Sequence, residues 1–127
     1  MLYDAHSIRS RIPRLFEGEL FGFNIGTNSG SSCDPALAAA VGDICVATGR
    51  SWVLDGRFKG GWTTRRYGRP HEGVHAIQME LACRGYMDES VPLADWPAPY
   101  DEARAAPLRA SLAEILNACL DFAKARP

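Results

Sequence analysis

The sequence predicts an α/β fold, and three observations predict it. From Val74 onward the residues follow a two-residue period, the signature of a strand. Segments 35–48 and 101–125 carry helical spacing, each behind a good capping residue. Strand-like runs alternate with these helices in the order strand, strand, helix, strand, long loop, strand, helix. Sheets of this class want helices on both faces. Two helices cover about one face of four strands. The expected architecture is therefore a helix-covered mixed β-sheet that is incomplete, with a bare face turned toward further chain or an oligomer.

At 127 residues the chain is read as a single domain, 1–127, large enough for a real core. Hydrophobic residues make up 46% and charged residues 23%, an ordinary globular balance. The formal net charge of −1 supplies no global field for nucleic acid, so an anion site must be local. No apolar run approaches membrane-spanning length and no basic-then-apolar leader is present, so no membrane partner is expected and the soluble cytoplasm is the expected compartment. Cys33, Cys45, Cys83 and Cys119 form no CxxC pair and read as free, semi-buried thiols.

Leu2-Tyr3-Asp4-Ala5-His6 reads either as a strand that begins with no lead-in or as a frayed terminus. As a strand it places Tyr3 and Ala5 on one face, Asp4 and His6 on the other. Segment 7–23, with Arg9, Arg11, Pro13 and Arg14, is expected to be irregular. Phe21 to Ile25 reads as a short strand, followed by the turn-rich Gly26-Thr27-Asn28-Ser29-Gly30-Ser31-Ser32. Asp34 caps a helix that starts at Pro35, runs to about Thr48 and closes at Gly49; its stripe is Leu37, Val41, Ile44 and Cys45. Ser51-Trp52-Val53-Leu54 reads as a buried strand. In the strand after Val74, His75, Ile77, Met79 and Leu81 share one face; Val74, Ala76, Gln78 and Glu80 share the other. Segment 88–100, holding Pro92, Pro97 and Pro99, is a connector. The last helix starts at Asp101 or Glu102, with a broad face of Leu108, Leu112, Ile115, Leu116, Cys119, Leu120 and Phe122.

The chemistry concentrates in residues 57–80. This stretch holds Arg57, Lys59, Arg65, Arg66 and Arg69, is rich in glycine, and ends in Glu80 inside an apolar run. The cations suit carboxylates or phosphates, and arginine grips such groups with two prongs; a solvated basic loop is the plain alternative. Glu80 is costly in an apolar strand without a partner. In a half-dry site its pKa rises, which suits a general base; pairing with a loop arginine is the structural alternative. His71-Glu72-Gly73-Val74-His75 matches HExxH, but Pro70 and Gly73 oppose the helix this spacing requires, so the match reads as coincidence and His71 as a surface residue. Asp4-x-His6 puts a carboxylate where it can orient an imidazole or share its metal.

DAHSIRSRIP, GTNSGSSCDP, LDGRFKGGWTTRRYGRP and GVHAIQMELACRGYMDE, in this order, resemble the N-formylglutamate amidohydrolases (N-formylglutamate deformylases) of histidine degradation. The resemblance runs nearly end to end but matches only the C-terminal half of family members, which are about twice this long; the rest would come from an upstream half or another chain. It implies a zinc-dependent hydrolase of N-formyl-L-glutamate with a fold similar to the zinc carboxypeptidases (phosphorylase/hydrolase-like). It implies that His6 is a zinc ligand, that Glu80 is the general base and that Asn28, Arg57, Lys59 and Arg65 form the substrate-carboxylate side. Asp4 and Gln78 are read as supporting His6 and Glu80. Arg66 stands where the family often has histidine. Two other readings are carried: a related N-acyl amino acid deacylase, and a non-catalytic remnant that binds carboxylates or a partner chain.

Overall fold

The computed structural model describes residues 1–90 and 95–125. Its strands are β1 (Leu2–Ile8), β2 (Phe23–Gly26), β3 (Trp52–Leu54) and β4 (Ala76–Ala82). Its helices are α1 (Pro35–Ala47), α2 (Trp62–Tyr67) and α3 (Glu102–Lys124). The strands form one mixed sheet in the order β1-β4-β2-β3. β1 runs parallel to β4, β4 antiparallel to β2, and β2 parallel to β3. The α/β expectation holds, and the first residues form a strand rather than a frayed end.

Local chemistry sets the helix starts. Asp34 accepts a hydrogen bond from the Ala36 N–H at 2.8 Å, and Pro35 occupies the first turn, where its missing donor costs nothing. Asp101 accepts from the Arg104 N–H at 3.1 Å in the same way. Both helices pack on one face of the sheet and on each other. Phe23, Ile25, Ile77 and Met79 meet Leu37, Val41, Cys45, Ile115 and Cys119 in a single core. Each large side chain there is almost fully buried and contributes about 1.5–3 kcal/mol relative to exposure.

Several expectations need correction. β2 starts at Phe23, because Phe21 lies outside the sheet and is exposed. Ser7 and Ile8 belong to β1, not to the irregular segment. The buried strand expected at 51–54 is a three-residue edge strand with Leu54 exposed; it has a neighbour on one side only, among the described residues. The apolar face of α3 is narrower than the spacing suggested: Leu116 and Leu120 are exposed, and burial centres on Ala105, Leu108, Ile115 and Cys119. The loop at 57–80 contains α2 and a 3-10 turn at Pro70–Glu72. Pro92 of the expected connector lies outside the described residues.

α2 is what covers part of the second sheet face, against β1 and β4. The approach is close. A Cβ on Gly26 would sit 2.6 Å from the Gly60 nitrogen and 2.7 Å from the Lys59 carbonyl carbon. Gly60 itself has φ of 123°, in the region where side chains are strained. Glycine at both positions lets the turn before α2 lie directly on the sheet.

Candidate active site

Alternation decides which side chains share the second face. With Phe23, Ile25, Ile77 and Met79 in the core, Asp4 and His6 of β1, Asn24 of β2, and Gln78 and Glu80 of β4 project to the opposite side. The register then makes neighbours of residues far apart in sequence: Asp4 lies beside Gln78, His6 beside Glu80, and Asn24 on the other flank of Glu80. Adjacent strands are about 4.8 Å apart, so these side chains stand shoulder to shoulder.

An open cleft of about 490 Å³ lies over this row, lined by His6, Gln78, Glu80, Arg57, Lys59, Gly60, Gly61 and Arg65 among others. The floor carries acid and imidazole and the wall carries cations. Arg57, Lys59 and Arg65 form no ion pair among the described residues. The Arg65 guanidinium is anchored by donating to the Gly60 carbonyl at 2.6 Å. The wall is tied to the floor because Gln78 Oε1 accepts the Gly61 N–H at 2.5 Å.

Glu80 is buried, and burial is the main cause that pushes its carboxyl above the ordinary glutamate range; nearby His6 opposes the rise and Asp4 adds to it. Its main-chain carbonyl accepts from Asn24 Nδ2 at 3.0 Å. His6 is half exposed, and its Nε2 meets Asp4 Oδ1 at 2.9 Å. Asp4 is 12% exposed, and its other oxygen accepts from Thr64 Oγ1 at 2.9 Å. The arrangement offers a proton acceptor with raised affinity, an oriented imidazole and free cations across a gap.

Of the predicted residues, His6, Glu80, Arg57, Lys59, Arg65, Asp4 and Gln78 come together at this cleft. Asn28 does not bring its side-chain amide in: that group donates to Ser31 Oγ at 2.9 Å, and only its main-chain N–H reaches the wall, bonding the Lys59 carbonyl at 2.6 Å. Arg66 and Arg69 also point elsewhere, Arg66 over the Tyr67 ring and Arg69 to Glu72 at 3.1 Å. The HExxH match is not a metal pair. His71 is mostly exposed, whereas His75 is buried with Nδ1 accepting the Asp34 N–H at 3.1 Å. Sequence reasoning missed Asn24 and Thr64. The F-N-I alternation of β2 could have revealed Asn24; nothing in Trp62-Thr63-Thr64 marks the second threonine.

Zinc is the metal the sequence implied, and the donor set does not complete a site for it. A catalytic zinc takes three protein ligands. The described residues hold no group of three or more His, Cys, Asp or Glu able to share an ion. His6 is one potential ligand, with Asp4 bonded to it. The cysteines add nothing: all four are free and buried, and burial pushes Cys33, Cys45 and Cys119 up to about 11. A larger cavity, about 750 Å³, opens beyond β1. Much of its charge is paired internally, Arg11 and Arg84 with Glu19, Arg104 with Asp88. The smaller cleft is the one that gathers the acid, the imidazole and cations without ion-pair partners among the described residues.

Comparison with known proteins gives the family and the fold. A family model described as N-formylglutamate amidohydrolase matches residues 1–87. The chain is 51% identical over 127 residues to an N-formylglutamate deformylase of Pseudomonas aeruginosa, covering 99% of this chain and 46% of that protein. It is 49% identical, with the same coverage, to an N-formylglutamate deformylase of Pseudomonas putida. It thus spans about half the length of the curated relatives it matches. A crystal structure of an N-formylglutamate amidohydrolase from Ralstonia eutropha JMP134 superposes with a TM-score of 0.71 at 21% identity, over 98% of this chain and 42% of that one.

Proposed function

The chain belongs to the N-formylglutamate amidohydrolase family, and from that premise we propose that its polar sheet face serves the hydrolysis of N-formyl-L-glutamate to formate and L-glutamate. The names of its half-identical relatives support this reading. The observation that carries it is the register pairing of His6 with Glu80 beneath Arg57, Lys59 and Arg65. Glu80, its proton affinity raised by burial, takes a proton from water as the water oxygen bonds the formyl carbon. As the C–N bond breaks, Glu80 returns the proton to the departing amine. The cations hold the glutamate carboxylates, and Gln78 keeps their wall at a set height above the base. Zinc is the cofactor of this reading, with His6 as the ligand this chain offers; the described residues do not complete the ion's shell, and the steps above are those of this chain's own side chains. The same reading carries a fold of the zinc-carboxypeptidase kind and a cytoplasmic setting, which the free thiols suit.

The incomplete ligand set favours a second reading, in which the chain binds carboxylates without turning them over. Two measurements separate the two. Metal content near one zinc per chain, with formate released from N-formyl-L-glutamate, supports hydrolysis. Glutamate binding with neither zinc nor formate establishes the second reading. Within the hydrolytic reading, Arg65→Ala should raise KM for formylglutamate roughly tenfold or more, the value of a lost charge-assisted contact. An unchanged KM removes Arg65 from the site.

A further inference from the structure

Thr64 lies in the middle of α2 and is fully buried, yet the hydrolytic reading gives it no task. Threonine is a poor helix former, and inside helices its hydroxyl usually turns back to the carbonyl four residues earlier. In α2 that carbonyl, Gly60 O, accepts the Arg65 guanidinium instead. The Thr64 hydroxyl crosses to β1 and donates to Asp4 Oδ2 at 2.9 Å. Asp4 Oδ1 faces His6 Nε2 at 2.9 Å, so the carboxylate is held at both oxygens and the ring can be held through it. The other branch of Thr64 points at the wall. Its Cγ2 lies 3.0 Å from where a Cβ of Gly60 would be, so the methyl group faces Gly60 and fills the space a side chain there would need. A valine would fill this space equally well. Only a residue with both a hydroxyl and a methyl serves both neighbours.

We propose that Thr64 is a two-sided positioning residue of the hydrolytic site: its hydroxyl sets the His6 ring through Asp4, and its methyl sets the cationic turn over the sheet. This rests on the hydrolytic reading for its catalytic consequence, but not for its structural content. The two branches are separable by substitution. Thr64→Val keeps the methyl and removes the hydroxyl, whereas Thr64→Ser does the reverse.

The test compares the two variants. With formylglutamate, Thr64→Val should lower kcat roughly tenfold, the low end of the cost of losing an outer partner behind a ligating histidine, and leave KM near wild type. Thr64→Ser should keep kcat and raise KM severalfold, since the wall loosens. A side chain that merely fills space would lower kcat and raise KM together in both variants, and that result overturns the proposal. A second readout needs no turnover. In chain labelled with nitrogen-15, the His6 ring resonances should move in Thr64→Val, where Asp4 loses its hydroxyl partner, and stay at their wild-type positions in Thr64→Ser. Should Thr64→Val fail to fold, Thr64→Ala against Thr64→Ser gives the same contrast. A His6 resonance identical in wild type and in every variant lacking the hydroxyl overturns the proposal. If wild type releases no formate while Thr64→Val still disturbs His6, the hydrolytic reading falls and the positioning role stands.

Discussion

The two faces of the sheet are built from alternate residues of the same strands, and they are held by different forces. On β4, Ile77 and Met79 enter a core closed by α1 and α3, where shape and burial do the holding. Their neighbours Gln78 and Glu80 are just as buried, at 3% and 7% exposure, but on the opposite face. Burial there is a cost, because desolvated polar groups must find partners. Gln78 finds the Gly61 N–H, Asp4 finds Thr64 and His6, and Asn24 finds two carbonyls. Among the described residues the side chain of Glu80 has none of these neutral donors, and its carboxyl is pushed up. The apolar face gives the molecule its stability; the polar face gives up some of that stability to hold one acid with a raised proton affinity.

Replacing Glu80 should separate the faces most sharply. Glu80→Gln should cut turnover of formylglutamate by about 10²–10⁴, the span of a general base, without harming the fold. The pH dependence has a definite sign. Because the folded carboxyl binds its proton more tightly than the unfolded one, the associated stability is complete below the ordinary glutamate value of about 4.3 and is lost as pH rises through the raised value. The melting temperature of Glu80→Gln relative to wild type should therefore climb as pH rises above about 4 and through the raised value. Parallel melting profiles would mean that Glu80 is not strained by burial. Turnover in wild type should rise over the same limb, as the base becomes deprotonated.

The converse test sits one residue from Asn24. Phe23 is fully buried, and Phe23→Ala should cost about 3–5 kcal/mol in urea unfolding, while the folded fraction keeps its KM. A changed KM in folded Phe23→Ala would show that the faces are not independent. A smaller effect is expected where the faces meet the turn. Gly26→Ala puts a methyl 2.6 Å from the Gly60 nitrogen; the lift should cost about 1–3 kcal/mol and raise KM severalfold. Unfolding and steady-state kinetics read both, and a KM that stays put would detach the turn from the substrate.

The two faces also differ in how far the residues alone reveal them. The period-two run at Val74, the Asp34-Pro35 start and the Asp101 start all declared themselves, because each depends on neighbours within a few positions. The same alternation assigned Asp4 and His6 to one face of their strand and Gln78 and Glu80 to one face of theirs, and both assignments hold. α2 was not legible: Trp62-Thr63-Thr64-Arg65-Arg66-Tyr67 has weak propensity and no stripe, and the helix exists because it rests on β1 and β4. Asn28 shows the other side of this. Its loop pattern was read correctly as turn-forming, and within that turn its amide donates to Ser31 Oγ, a contact the loop pattern did not announce.

By itself, then, the sequence determined the four strands, the two long helices, their order and the sidedness of β1 and β4, since these follow from backbone periodicity and caps that act over single turns. Tertiary structure alone decided that β1 lies beside β4 rather than β2, which sets His6 next to Glu80, and that Thr64 closes the gap behind Asp4. Strand partners and register are chosen by long-range packing of whole faces, and no local pattern specifies the neighbour across a gap of some seventy residues.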